Sequence, residues 1–280
     1  MTQDATQDPT QEPPFAGWRD ELGVFALAVQ FLTRLPVPRD LAFSEGRLLR
    51  ATRYYPAVGL LVGAIGAGVL LGAALALPWP VAVLLSVAAT VAATGAFHED
   101  GLADAADGLG GGLTRARALE IMRDSHVGTM GALALIFVIG TKASLLATVA
   151  GHGPGTVLDV VFLMPVAGRC ATLLCMTLIP YVREEGLASL FWERTWPRFA
   201  LAMLVLFAAG WAAGGWVGIA AVLVCLVVVG AFTLLCHMRL GGGTGDTLGA
   251  LTELAELAVG LGFVAALQVV GLAAGNGGGA

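Results

Sequence analysis

"YYPAVGLLVGAIGAGVLLGAALALPWPVAVLLSVAATVAATGAF", Tyr54 to Phe97, contains no Asp, Glu, Lys or Arg. Either side of the "LPWP" turn stands an apolar run close to the ~20 residues that cross a bilayer as a helix. The runs are continuous rather than alternating, and an open sheet cannot satisfy its backbone groups in hydrocarbon, so strands are excluded. The same texture recurs, giving seven expected spans at about 55–77, 80–97, 130–150, 157–179, 199–213, 216–235 and 248–274, the fifth short and weakly bounded. With 57% hydrophobic and 12% charged residues and a mean hydropathy of +0.82, the fold class is all-α, a polytopic integral membrane bundle.

An eighth apolar stretch, Leu22 to Pro38, is too short before Arg34 to span and is expected to lie in the interface or re-enter, ended by its two prolines. Residues 1–20 read as a disordered polar tail without the basic and apolar regions of a signal peptide. Residues 21–274 read as one integral membrane catalytic domain, and 275–280 as a flexible Gly-rich tail. Cys170, Cys175, Cys225 and Cys236 lack C-x-x-C spacing and read as small core hydrophobes.

Arginine orients the spans. Arg19, Arg34, Arg39, Arg47, Arg50 and Arg53 precede the first, Arg115, Arg117 and Arg123 follow the second, Arg183, Arg194 and Arg198 follow the fourth, and Arg239 follows the sixth. The alternate connections carry no Lys or Arg, which puts the N-terminus and every Arg-bearing loop in the cytoplasm. With net charge -5 and no basic stripe, nucleic acid is excluded as a partner. The lipid bilayer is the expected surrounding. Small residues at Gly59, Gly63, Gly68 and Gly72 point to close helix packing within the chain and leave a homo-oligomer open.

Directly after the quoted stretch comes "HEDGLADAADGLGGG", His98 to Gly112. On a helix Asp100, Asp104 and Asp107 fall within about 60° of one another. Three carboxylates on one face repel unless a cation lies between them, and hard oxygen donors suit Mg²⁺, with Mn²⁺ as the alternative. A solvated acidic face at a membrane exit is the bland reading, and the glycines that follow the acids weigh against it. Glu99 points elsewhere, as an outer ligand or solvated neighbour, and His98 reads as a hydrogen-bonding helix-end residue.

Beyond the turn, Arg123, Asp124 and Ser125 sit beside Gly128 and Gly131, as a phosphate contact would. A second acidic, glycine-rich stretch, "RLGGGTGDTLGALTELAEL", places Asp246 and Glu253 on one face with Glu256 further round. Its Gly245-Asp246-Thr247 resembles a helix start able to receive phosphate. Lys142 and Arg169 lie within spans, where ionisable groups face a partner: either the acids themselves or an anionic substrate.

These motifs resemble the cobalamin synthase family, the adenosylcobinamide-GDP ribazoletransferases. The matching stretches are "FLTRLPVP", "YYPAVGLLVG", "FHEDGLADAADGLGGG", "EIMRDSHVGTMG", Gly168-Arg169 and "GGGTGDTLGA" with Glu256, in order from about residue 25 to 260. The chain departs from the usual pattern at Arg123, His126 and Ala105, where Lys, Arg and Thr are common. The resemblance implies a Mg²⁺-dependent enzyme of the prokaryotic inner membrane whose partners are adenosylcobinamide-GDP and α-ribazole or its 5′-phosphate. A hydroxyl of the acceptor would attack the cobinamide-linked phosphorus, releasing GMP. The expected assignment has Asp100, Asp104, Asp107 and Asp246 on the metal. Glu99 or Glu256 supports them or acts as base, with Asp100 and Asp104 also in the catalytic set. Arg123, Asp124, Ser125, Lys142, Arg169, Gly245 and Thr247 bind substrate or phosphate. Two other classes stand against this: a CDP-alcohol phosphotransferase-like enzyme, disfavoured because no Arg follows Asp100-Gly101 at the needed place, and a cation-coupled transporter, disfavoured because the acids gather at one membrane face.

Overall fold

Apolar runs become helices, and the residues between them decide how each helix is turned. The computed structural model describes residues 17–38, 41–183 and 186–277, and among these no strand forms. The order is α1 (Gly17–Leu32), α2 (Glu45–Ala51), α3 (Tyr55–Ala74), α4 (Trp79–Thr94), α5 (Phe97–Gly111), α6 (Arg115–Ile121), α7 (Thr129–Ala150), α8 (Pro154–Leu178), α9 (Trp196–Gly214), α10 (Trp216–Leu240) and α11 (Gly245–Gly277). Among the described residues, six helical segments are long and apolar enough to cross a membrane: Glu45–Ala74, α7, α8, α9, α10 and Gly245–Leu272. The protein is a multi-pass, all-helical membrane protein.

The second expected span is where sequence and structure part. It was expected to reach residue 97, but α4 stops at Thr94 after 16 residues, about 24 Å against a hydrocarbon core of about 30 Å. It passes as a span only when joined to α5, and the two are bent by 88°. The cause is local: Gly95 (φ 67) and Ala96 (φ 57) are both left-handed, so the helix cannot continue through them. A left-handed alanine costs about 1 kcal/mol, so packing must hold this corner in place. α5 therefore leaves the line of the spans and runs across the end of the bundle.

α8 is the central pillar, 83% of its apolar window being buried, against 22% to 39% in the other five segments. α3 lies along it through glycine: a Cβ at Gly59 would stand 2.6 Å from the Pro165 carbonyl oxygen and one at Gly63 3.0 Å from the Phe162 ring. Those two glycines pack within the chain as expected, while Gly68 and Gly72 meet nothing within 4 Å. The four cysteines are free and buried.

α1 is not among the membrane-crossing segments. It buries Val24, Leu27, Ala28, Val29 and Leu32, and Asp20 and Glu21 on it pair with Arg47, Arg50 and Arg53. It begins at Gly17, so residues 17–20, expected in the tail, are helical; α11 likewise runs to Gly277, past the start of the expected C-terminal tail. Residues 1–16 and 278–280 of those tails lie outside the described residues.

Candidate active site

Glycine-on-glycine packing brings the two acidic stretches together. α5 crosses the start of α11 so closely that a Cβ at Gly101 would lie 2.9 Å from the Asp246 carbonyl oxygen, and one at Gly249 would lie 3.0 Å from the Gly101 Cα. The start of α11 is fixed in turn by its cap. Thr244 N–H donates to the Thr247 hydroxyl at 2.8 Å, and Thr247 N–H donates back to the Thr244 hydroxyl at 3.2 Å, the reciprocal arrangement of a capping box. Upstream, Gly243 exchanges backbone hydrogen bonds with the 180–182 segment: its N–H donates to Pro180 at 2.9 Å and its carbonyl accepts from Val182 at 3.1 Å. That pairing delivers Arg183 to Asp246, 2.5 Å away.

Asp100, Arg183 and Asp246 line a cavity of about 240 Å³ together with Phe31, Tyr55, Phe97 and Phe191. Asp104 stands half-buried one helical turn beyond Asp100. Its carboxyl is pushed up to about 6, first by burial and then by the charges of Asp246 and Asp100. That mutual repulsion shows that the acids expected to cooperate are electrostatic neighbours, and their oxygens are the donor type that Mg²⁺ takes. Among the described residues no three His, Cys, Asp or Glu side chains are already gathered closely enough to hold a metal ion.

Several expected site residues have other occupations. Asp107 accepts the N–H groups of Gly128 at 2.7 Å and Gly131 at 2.9 Å, so it anchors the start of α7 instead of turning toward Asp246. Thr247 is fully buried and its hydroxyl donates to the Thr244 carbonyl at 2.9 Å, which leaves it a cap rather than a phosphate ligand. Gly245 does line the cavity. Arg123, Asp124 and Ser125 are exposed. The Asp124 carboxyl is held below its usual range chiefly by the hydrogen bond from His126. The Arg123 charge is felt at Tyr181 on the cavity wall.

Lys142, Arg169, Glu99 and Glu256 face a different space, a cavity of about 40 Å³ inside the bundle. There Lys142 Nζ donates to Glu253 at 2.7 Å and Glu256 at 2.8 Å, and Arg169 pairs with Glu256. The expectation that Lys142 and Arg169 meet phosphate is therefore corrected: both are engaged with buried carboxylates. Glu256, clasped by two cations, is not free to act as a base. Glu99 is buried with Oε2 lacking a hydrogen-bond partner. His98 lines both cavities, and Arg169 Nη2 lies 3.5 Å from its Nδ1. Sequence reasoning gave Arg183 no role beyond orientation and assigned none to the wall aromatics, although Phe31, Tyr55 and Phe97 lie in the quoted motifs, since it is the fold that brings them together.

The cobalamin-5-phosphate synthase family profile matches residues 24–264. The chain belongs to that family. An adenosylcobinamide-GDP ribazoletransferase from Leptothrix cholodnii is 39% identical over 261 residues, covering 88% of this chain and 96% of its own length. One from Vibrio parahaemolyticus is 38% identical over 257 residues, covering 89% and 95%, and one from Shewanella amazonensis is 39% identical over 253 residues, covering 86% and 95%. No solved structure matches the chain. Membership makes the protein a membrane-embedded transferase of cobalamin biosynthesis, and the matched region contains both acidic stretches and the whole aromatic wall.

Proposed function

We propose that this chain joins α-ribazole, or its 5′-phosphate, to adenosylcobinamide-GDP, forming adenosylcobalamin or its 5′-phosphate and releasing GMP. The acceptor's hydroxyl oxygen bonds to the cobinamide-linked phosphorus as the bond from that phosphorus to the GMP oxygen breaks. The hydroxyl proton leaves to a carboxylate. The observation that carries the reading is the glycine-keyed crossing of α5 and α11, which sets Asp100 and Asp246 beside Arg183 on the cavity wall, with Asp104 their electrostatic neighbour.

Asp100 and Asp246 supply the oxygens that would hold Mg²⁺, and Asp107 fixes the loop behind them. When bound, the metal would neutralise charge on the pyrophosphate and its leaving group. Arg183 adds a cation held against Asp246, and Arg123 offers an exposed one from the surface. Asp104, raised to about 6, is matched to accept a proton near neutral pH. The buried set of Lys142, Arg169, Glu253 and Glu256 holds α7, α8 and α11 in register beneath the site. The distribution of arginine supports a cytoplasmic site and N-terminus in a prokaryotic inner membrane.

The test is GMP release by detergent-purified protein given adenosylcobinamide-GDP, α-ribazole and Mg²⁺. Asp100→Asn and Asp246→Asn are each expected to lower turnover roughly 10²-fold or more while the protein stays folded. Wild-type turnover that persists unchanged in a metal chelator, or in both variants, would sink the assignment.

A further inference from the structure

The corner between α4 and α5 carries a cation that the fold does not neutralise. Arg34 is exposed, and its side chain makes no ion pair or hydrogen bond among the described residues. Its place is nevertheless fixed. Arg34 N–H donates to the Ala93 carbonyl at 2.7 Å, and the side chain lies over Gly95, where a Cβ would stand 2.5 Å from Nε and 2.6 Å from Cγ. Gly95 thus meets two demands, a left-handed backbone and room for a guanidinium.

Gly95 also lines an apolar groove of about 380 Å³ between α4 and α7, together with Leu84, Val91, Ala92, Ala96 and Ile139. No polar side chain contributes to it. Leu84, Ala92 and Gly95 are exposed, so the groove opens outward from the bundle. From Leu84 to Gly95 it runs about 17 Å along the helix, close to the ~15 Å of hydrocarbon in one leaflet. On the other side of the corner, Arg34 lines a recess of about 330 Å³ with Gln30, Thr33 and Phe43. A cation therefore stands where an apolar groove one leaflet deep meets a partly polar recess.

We infer that this corner holds one phospholipid with a net negative headgroup, an acyl chain lying in the groove along α4 and the phosphate on Arg34. A chain alone would leave the cation unanswered, and a soluble phosphate ester would leave the groove uncovered; a phospholipid satisfies both. A zwitterionic headgroup brings its own cation beside the phosphate, whereas an anionic one leaves a net charge for Arg34 to meet. Occupancy also bears on the fold. Ala96 is held in a left-handed conformation that strains an alanine, and it lines the groove, so a chain packed there supports the corner that turns α5 across the bundle. The site is separate from the acid-lined cavity and does not depend on the transfer reaction.

The experiment titrates delipidated, full-length protein in non-ionic detergent with phosphatidylglycerol or phosphatidylcholine of the same acyl chains, reading bound lipid by native mass spectrometry and Tm by thermal unfolding. The wild type is expected to bind one phosphatidylglycerol about fivefold more tightly than phosphatidylcholine, to lose that preference in high salt, and to unfold at a higher Tm when it is bound. Arg34→Gln should bring the two affinities together, and Arg34→Lys should keep most of the difference. Ala92→Phe fills the groove from an exposed position and should weaken both lipids about tenfold. Equal affinities in the wild type, a preference that survives in Arg34→Gln, or undiminished binding in Ala92→Phe overturns the site. A raised KM for either substrate in Arg34→Gln with lipid binding unchanged also overturns it, by putting Arg34 on a substrate phosphate. Should Arg34→Gln fail to fold, Ala92→Phe and the salt dependence of the wild-type preference decide the matter.

Discussion

Two groups of ion pairs hold this molecule together, and they obey different rules. At the periphery, Asp20 and Glu21 of α1 meet Arg47, Arg50 and Arg53, with Arg50 bridging both acids and the Tyr54 hydroxyl donating to Glu21 at 2.6 Å. These side chains keep between 9% and 34% of their exposure. In the bundle, Lys142, Arg169, Glu253 and Glu256 keep 11% or less. Water can replace a lost partner in the first group. In the second nothing can, so each charge there depends on the presence of the others. The peripheral pairs tune the fit of α1; the interior set decides whether α7, α8 and α11 assemble.

That contrast can be broken by substitution. Lys142→Met leaves Glu253 and Glu256 without their shared cation and should destabilise the protein by about 3–5 kcal/mol, read as loss of folded protein and a lowered Tm in detergent. Adding Glu253→Gln to that variant should restore part of the loss, because one of the stranded charges is gone. If the double variant is less stable than the single, the carboxylates are not a burden that Lys142 relieves. Glu21→Gln should cost no more than about 1 kcal/mol, since Asp20 still engages Arg50 and Arg47; a Tm drop as large as that of Lys142→Met would erase the distinction.

Acid sharpens it further, because function and attachment of α1 should fail at different pH. Asp104, raised by burial to about 6, takes up its proton as pH falls through that value. Turnover should then decline about tenfold per unit below pH 6, and the residual activity of Asp104→Asn should lack that limb. Glu21 runs the other way: hydrogen bonding from Tyr54, reinforced by Arg53 and Arg50, lowers it to about 2. A lowered carboxyl contributes its full stability above its ordinary 4.5 and loses it as pH falls toward 2. At pH 5 activity should therefore be well down while the contribution of Glu21 to stability is intact. Loss of both together between pH 6 and 5 would mean that Asp104 acts through the fold rather than the chemistry. This is the smallest of the expected stability effects, since Glu21 is partly solvated.

The sequence made the bundle and the acidic stretches legible because both are local signals. A span is readable from composition, and the co-facial spacing of Asp100 and Asp104 from helix geometry alone. The bend at Gly95 and Ala96 was not legible, because alanine seldom adopts that conformation and nothing local announces it. Asp107 looked equivalent to its neighbours on the helix face, yet Gly128 and Gly131 reach it from the start of α7 and claim it. Lys142 and Arg169 were recognised as needing partners, and the choice between carboxylates and substrate was made by packing of α7, α8 and α11. Arg183 finds Asp246 through a backbone pairing at Gly243, a contact no residue pattern encodes.

The contact of Gly101 with Gly249 has one more consequence. Because backbone meets backbone there, the separation of the two acid-bearing helices is set by the sizes of atoms, with neither cation nor substrate needed to draw them together. The carboxylates form a fixed jaw, and the travel of catalysis falls to the molecules that enter it.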